Sequence, residues 1–513
     1  MPKEIISVNV KVNKVEAIKA RVDLLAVAVT TNGTKTGLCQ ELDKKLKGKI
    51  AALDKLGDFK GKKDTTAVIY TDERIAAKRV LLIGLGDKKD ITADTIRKAA
   101  AMAAGKAVAL RAKTVALALH QGVVSRKLDL QTLGQAITEG AVFGGYRYDE
   151  YQEKTKDGRR KELSVQLIDA GAAAVRELRK GFNTGNIIGQ AQAFARTIAN
   201  RPGNVINPVS LAKIAKKTAT ATPHLSCTVL DEKQLKQKKF GGILAVGAGS
   251  VNKPRLIVLK YTPPAGSKKT ATLGLVGKAI TFDSGGISLK PGAGMQDMKF
   301  DKSGGIAVLG AMKAIAELKP NVKVYGIIPA AENMPSGTSY RPGDIITTLS
   351  GKTVEIQNTD AEGRMILCDA IHYAVKLKCD PIVDIATLTG ACMVALGKYK
   401  AGLMGSDDRL IKKLQKASAQ SGEAVWHLPC GDEYTKEMKS KIADLKNTGS
   451  RWGGASTAAS FLKEFTGDTK WAHIDMAGVD MFDAAEKFGS VGSTGFGVRL
   501  LTMYILNAAS KTK

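Results

Sequence analysis

Four carboxylates fall in three short segments, each spaced tightly with glycine, lysine or arginine. The first segment runs from Gly277 through Lys278 and Asp283 to Lys290, directly after an apolar run. The second, Met298-Lys-Phe-Asp301, precedes Ser303-Gly-Gly, and the third is Asn358-Thr-Asp360-Ala-Glu362-Gly-Arg364. Brought into one cleft, Asp283, Asp301, Asp360 and Glu362 would repel one another and take up protons unless cations neutralised them. Two divalent ions carry the matching charge, and such a pair, ~3.5–4 Å apart, can share carboxylates and activate a water for hydrolysis. The Asp-x-Glu spacing predicts that Asp360 and Glu362 lie on one side of an extended segment. A desolvated Lys278 could act as a neutral donor, and Arg364 could hold an anion through two parallel hydrogen bonds. Singly, each acid reads equally well as a helix cap or a solvated loop carboxylate; Asp301, two residues ahead of Ser303, suits a helix N-terminus. Spacing alone leaves a dimetal hydrolase and structural carboxylates both standing.

The elements that would position these groups alternate between strand and helix patterns, which implies an α/β protein with mostly parallel sheets. In the first part, 24–29, 67–70 and 80–84 read as buried strands, and 95–108 and 130–139 as helices. The charge-rich stretch 146–162 reads as surface, followed by a strand at 163–168. In the second part, strands are expected at 256–259, 273–276, 324–328, 382–385 and 471–474. Helices are expected at 306–318, with Ser303 as its N-cap, and at 365–377, which carries a broad apolar stripe. Residues 344–350 and 352–356 read as a hairpin added to the sheet. The acids all sit at strand ends or helix entries, where open α/β sheets form ligand crevices. The expected division is 1–170, a helical connector 171–199, and 200–513.

The chain has 513 residues, 44% hydrophobic and 25% charged, which excludes a disordered chain and allows a large core. Aromatics make up 5%, too few for a base-stacking platform. No run approaches the ~18 apolar residues of a membrane span, and the N-terminus has no apolar signal core, so a cytoplasmic location is expected. Six cysteines without a CxxC pair read as reduced thiols. The net charge is +29, densest at 44–49 and 60–63. It suits either a solvated lysine-rich face or contact with nucleic acid. There is no GxSxG elbow and no HExxH, and the five histidines are dispersed. Gly84-Leu-Gly86 and Gly247-Ala-Gly249-Ser250 read as plain turns, not phosphate cradles. His473 and Asp475 alternate along a strand and read as structural.

The string NTDAEGR at 358–364 resembles, letter for letter, the signature of the cytosolic leucyl aminopeptidases (M17), a family of hexameric dizinc exopeptidases. VGKAITFDSGGISLK at 276–290 resembles a second active-site block, and 386–391 (ATLTGA) the substrate-binding turn. The similarity continues through 444–447, 452–455, 473–478 and 494–498, and so covers about 195–506. The 79–86 run (RVLLIGLG) resembles the family's macro-like N-terminal domain. The resemblance implies an N-terminal macro-like α/β domain and a larger catalytic α/β domain that releases Leu-like N-terminal residues by a two-metal activated water. Lys278, Asp283, Asp301 and Glu362 would bind one metal, and Asp283, Asp360 and Glu362 the other, the ions being Zn²⁺, Mn²⁺ or Co²⁺. Lys290 would polarise the scissile carbonyl, and Arg364 would hold a bicarbonate acting as general base. Met298, Thr387, Leu388 and Gly390 fall where the family contacts substrate. Two departures stand out: Ala279 where glycine is usual, and Lys302 where an uncharged residue is usual. The resemblance also implies a homohexamer acting on peptides with free N-termini. The alternative it leaves is a hexameric DNA-binding or scaffold protein of the same fold, and a third reading is an N-terminal domain that binds ADP-ribose.

Overall fold

The computed structural model describes residues 7–153, 162–264 and 271–510. The chain forms two compact α/β units: Met1–Ala193 with Phe482–Gly492, and Phe194–Met481 with Ser493–Lys513.

In the first unit, runs rich in Val, Ile, Leu and Ala form the strands; the central ones are buried on both faces, while the two edge strands leave residues exposed. They are β1 (Ser7–Lys14), β2 (Leu24–Thr30), β3 (Thr66–Tyr70), β4 (Arg79–Gly86), β5 (Thr114–Ala118) and β6 (Glu162–Asp169), in the order β1-β6-β5-β2-β4-β3. All neighbours are parallel except the edge pair β3–β4. Two apolar layers cover the sheet. One includes the helices Ala93–Ala109 and Leu130–Gly145, the other the 37–56 helical region. At the carboxyl ends of β2 and β4 the 61–65 turn packs down tightly: a Cβ at Gly84 would lie 2.0 Å from the Lys62 carbonyl oxygen. Within 146–162, residues 154–161 lie outside the described residues. Of the rest, Tyr146 and Glu150 are buried, contrary to the surface reading.

The second unit carries β7 (Leu225–Leu230), β8 (Arg255–Tyr261), β9 (Thr272–Gly277), β10 (Ala279–Asp283), β11 (Lys323–Asn333), β12 (Ile345–Thr347) and β13 (Thr353–Glu355). It continues with β14 (Ile382–Ala386), β15 (Ala401–Gly405), β16 (Val425–His427), β17 (Leu445–Lys446) and β18 (Trp471–Asp475). Its nine-stranded sheet runs β16-β15-β18-β14-β9-β11-β8-β7, with β10 beside β11. The central strands β18, β14, β9, β11 and β10 are mutually parallel. The 345–355 hairpin forms as expected, but it joins β17 in a separate three-stranded sheet instead of extending the main one.

Two local expectations are overturned. Ser303 is the first residue of the helix Ser303–Leu318, not its cap, and its hydroxyl donates to the Phe300 carbonyl (2.5 Å). Asp360 and Glu362 do not share an extended segment: Asn358 folds 358–361 into a turn, accepting from the Asp360 N–H, and Glu362 opens the helix Glu362–Lys376. No helix among the described residues is long and apolar enough to cross a membrane.

Candidate metal centre

The parallel strands β9 and β10 deliver Lys278 and Asp283 to the centre. Lys278 is locked between them by backbone: its N–H donates to Ile385 O (3.1 Å), and its carbonyl accepts from Gly305 N (2.6 Å). The helix Ser303–Leu318 starts directly on this turn, which requires glycine. A Cβ at Gly304 would stand 2.3 Å from the Ile385 carbonyl oxygen, and one at Gly305 would stand 2.7 Å from the Cβ of Ala279. Ala279 therefore fits because its opposite number carries no side chain.

From this frame the predicted residues converge. The Lys278 ammonium pairs with Asp301 Oδ1 (2.9 Å) and Glu362 Oε1 (2.8 Å), and donates to Thr387 O (2.9 Å). Lys290 Nζ bridges Asp283 Oδ2 (2.9 Å) and Asp360 Oδ1 (2.5 Å). Asp283, Asp301 and Glu362 are buried and offer oxygens that lie within 4.8 Å of one another. Thr387 Oγ1 donates to Asp301 Oδ1 (2.7 Å), while Asp301 Oδ2 is buried and accepts no hydrogen bond among the described residues. Arg364 donates from Nη1 to Asn447 O (2.7 Å), and its buried Nε has no hydrogen-bond acceptor among the described residues. Leu388 belongs to the same turn as Thr387, and Gly390 opens the short helix that Thr389 caps. Met298 lies in the 3-10 turn before Asp301, whose N–H donates to its carbonyl (3.2 Å).

The electrostatics follow from crowding. Burial first, then Glu362 and Asp283, push the Asp301 carboxyl well above the usual carboxylate range, although Lys278 opposes them. Glu362 is raised by burial and by Asp283, and Asp360 chiefly by burial. Burial pulls on the Lys278 ammonium too, but Asp301, Glu362 and Asp283 outweigh it and hold its pKa above the ordinary lysine range. Burial brings Arg364 down to about 10, still charged at neutral pH. Lys302 is fully buried and turns away from the acids: its ammonium donates to the carbonyls of Arg201 (3.0 Å) and Lys299.

These residues suit divalent cations. Four carboxylates face two ammonium groups, a mismatch that a hard cation with oxygen donors relieves. The unsatisfied Asp301 Oδ2 is a ready ligand atom.

Sequence reasoning missed the groups that hold the centre in shape. Asn333, at the end of β11, donates to Asp283 Oδ1 (2.8 Å) and to Thr359 O (3.0 Å), and Tyr340 also donates to Thr359 O (2.8 Å). Asn447 accepts from Gln357 N (2.8 Å) and donates to Asn358 O (2.7 Å). Asp475, fully buried, accepts at Oδ1 from Leu388 N (3.1 Å), Thr389 N (3.4 Å) and Ala477 N (3.2 Å), and at Oδ2 from Thr389 Oγ1 (2.6 Å). Its role is structural, as read, but the structure it builds is the Thr387–Gly390 turn. The signal was available for Asn447 and Asp475, since both lie in blocks that share the family resemblance.

The cytosol aminopeptidase family's catalytic-domain model matches residues 193–502, and its N-terminal-domain model matches 26–155. A probable cytosol aminopeptidase of Aquifex aeolicus is 44% identical over 472 residues, covering 91% of this chain and 92% of that protein. One from Roseiflexus castenholzii is 45% identical over 446 residues, covering 87% and 90%. Among solved structures, a point mutant of tomato leucine aminopeptidase superposes with a TM-score of 0.88 at 33% identity, covering 99% of this chain and 98% of that one. The bottromycin maturation enzyme BotP in complex with Mn gives 0.83 at 33% identity, covering 95% and 99%. With both of its units matched and its carboxylates gathered as a metallohydrolase requires, the chain belongs to the cytosol aminopeptidase family, peptidase family M17, and is a metallo-aminopeptidase.

Proposed function

We propose that the protein is a leucyl aminopeptidase with a dinuclear centre, releasing Leu-like N-terminal residues from peptides. The observation that carries this reading is the buried Asp283–Asp301–Glu362 cluster with Lys278 paired on one side and Lys290 on the other. Lys278, Asp283, Asp301 and Glu362 would hold one ion and Asp283, Asp360 and Glu362 the other, Zn²⁺, Mn²⁺ or Co²⁺ all suiting a site with mostly oxygen donors. Bound there, such ions would supply Lewis acidity and neutralise the carboxylates.

The remaining work falls to side chains of this chain. Lys278 can serve as a donor only without its proton, and neutralising Asp301 and Glu362 removes the charges that keep it protonated. Lys290, partly exposed and paired with Asp283, would polarise the scissile carbonyl and steady the developing oxyanion. Arg364 would anchor a bicarbonate that serves as general base; its buried, unpartnered Nε and retained charge support this role. Met298, Thr387, Leu388 and Gly390 would contact the substrate, with the Thr387–Gly390 turn held rigid by Asp475.

A homohexamer is part of the proposal. Met393 and Val394 in the helix Gly390–Leu396, Tyr399 just after it, Trp452, and Trp426 in β16 at the open edge of the sheet leave large apolar or aromatic side chains exposed. Such surface is normally covered by a partner. The relatives' names support a cytosolic site of action.

The experiment is hydrolysis of a leucine anilide before and after chelation, with Zn²⁺, Mn²⁺ or Co²⁺ restored, alongside light scattering for the oligomer. Activity that is lost on chelation and returns with metal is expected. Full activity in metal-free protein would overturn the dinuclear reading.

A further inference from the structure

The first unit holds a cavity of about 440 Å³ formed by residues that the proposed reaction does not use. That volume lies within the ~300–1,000 Å³ of ordinary small-molecule sites. Its walls come from the helix Ala93–Ala109, from the end of the helix Leu130–Gly145 and Arg147 beyond it, from Asp64 and Thr66 at β3, and from the returning segment 486–489.

Three cations line it, Lys106, Arg147 and Lys487, together with two acids, Asp64 and Glu486. Among the described residues none of the three cations pairs with either acid: the Lys487 ammonium reaches only the Asp64 backbone carbonyl (3.4 Å). Arg147 is fixed in place, donating from Nη1 to Gly144 O (2.9 Å) and Tyr146 O (2.7 Å). Met102 and Phe488 add apolar surface.

Gly105 points the same way. It stands in a helix interior, where glycine costs ~1 kcal/mol relative to alanine. Packing does not demand it: an added Cβ would meet nothing closer than Gly144 O at 3.6 Å and Arg147 Nη2 at 3.8 Å. By contrast, a Cβ at Gly144 would stand 2.1 Å from Ala101 O, so that glycine is a packing requirement. What the glycine at 105 does is keep space open beside Arg147 Nη2.

A simple anion entering this cavity would meet two carboxylates, and a simple cation would meet three positive groups. A molecule with both charges satisfies both sets, with its carboxylate toward Arg147, Lys106 and Lys487 and its ammonium toward Asp64 and Glu486. We infer that this cavity binds a small zwitterion of the α-amino-acid class, with an apolar side chain against Met102 and Phe488. The inference is independent of the dinuclear reading, although an aminopeptidase would raise the concentration of this ligand as it works.

Equilibrium dialysis of the full-length, metal-loaded protein against radiolabelled leucine tests it. Wild type is compared with Gly105→Leu, which fills the space, and with Lys487→Glu, an exposed change that leaves folding intact. Wild type should hold a leucine that both variants bind at least tenfold more weakly, while leucine-anilide turnover in the variants stays within twofold of wild type. Leucine bound at the catalytic centre is the component that survives in both. Unlabelled leucine should displace the variant-sensitive component, whereas 3-methylbutylamine, lacking the carboxylate, and 4-methylpentanoate, lacking the ammonium, should not. Equal leucine binding by all three proteins would overturn the site. Displacement by either analogue as effective as that by leucine would overturn its zwitterionic character.

Discussion

Replacing Asp475 separates what the Thr387–Gly390 turn does from what the carboxylates do. In the folded protein Asp475 takes four hydrogen bonds at a fully buried position, three from backbone N–H groups and one from the Thr389 hydroxyl. Asp475→Ala strands all four donors. Hydrogen bonds to charged acceptors contribute about 1.5–3 kcal/mol each. The 3.4 Å contact counts for little and the loosened turn can relax, so the net loss is about 3–5 kcal/mol. The turn also carries the Thr387 carbonyl and hydroxyl that reach Lys278 and Asp301, so part of the loss must appear in catalysis. A share of ~2.7 kcal/mol is a hundredfold in kcat/KM. Asp475→Asn keeps the Oδ1 acceptor for the three N–H groups and gives up only the charged bond to Thr389, worth about 1.5 kcal/mol, or roughly tenfold. The assay is leucine-anilide kcat/KM together with metal content and melting temperature. An asparagine variant as damaged as the alanine variant would refute the positional argument in favour of a purely electrostatic one. A fall in melting temperature with kcat/KM unchanged in both would show that the turn does not serve catalysis.

Three further outcomes are expected. Lys290→Ala should lower kcat by on the order of 10²–10³ with little change in KM, because its charge acts mainly in the transition state; steady-state kinetics check this, and a change in KM alone would make Lys290 a substrate anchor. Asp360→Ala and Glu362→Ala should each abolish anilide hydrolysis and reduce bound metal, measured by elemental analysis, while light scattering shows the same assembly as wild type. Asp369 is buried, and despite backbone N–H donors from Leu349 (2.7 Å) and Ile243 (3.0 Å), burial raises its pKa to about 7 from 3.8. The folded state then binds the proton that the unfolded state releases, so this group's contribution to stability is full below about pH 4 and is lost as the pH rises to about 7. Melting curves of Asp369→Asn should lack that decline, and identical pH profiles for wild type and variant would contradict it.

Much of the centre was legible in the sequence because its charged groups lie in three short blocks, where spacing left a dimetal site and structural carboxylates both standing and the family resemblance favoured the first. The strands that deliver them, such as 273–276 and 382–385, were readable from apolar runs bounded by turns. The failures had a common cause. Asp360 and Glu362 looked extended because an alternating pair suggests a strand, yet Asn358 closes a turn on itself and starts a helix there. Ser303 looked like a cap, but the helix backs onto Ile385 and Ala279 so closely that its first turn is set by that contact. Asn333 and Tyr340 act on residues distant in the chain, and no local pattern in their own segments announces a partner. Local pattern registers which groups are present, and tertiary contact decides which of them meet.

The return of Phe482–Gly492 to the first unit bears on how the protein is made. Domains emerging from a ribosome ordinarily fold in order, N-terminal first. Here residues 1–193 leave the ribosome without the rings of Phe482 and Phe488, and the edge-on partner of Phe143 arrives only after nearly 300 further residues have been synthesised. Until then Phe143 waits without that ring. The wall that carries Lys487 and Phe488 is absent as well. A polypeptide stopped at residue 193 would therefore lack part of its own first unit, and a nascent chain would gain the cavity at Arg147 only once residues 486–489 have been translated.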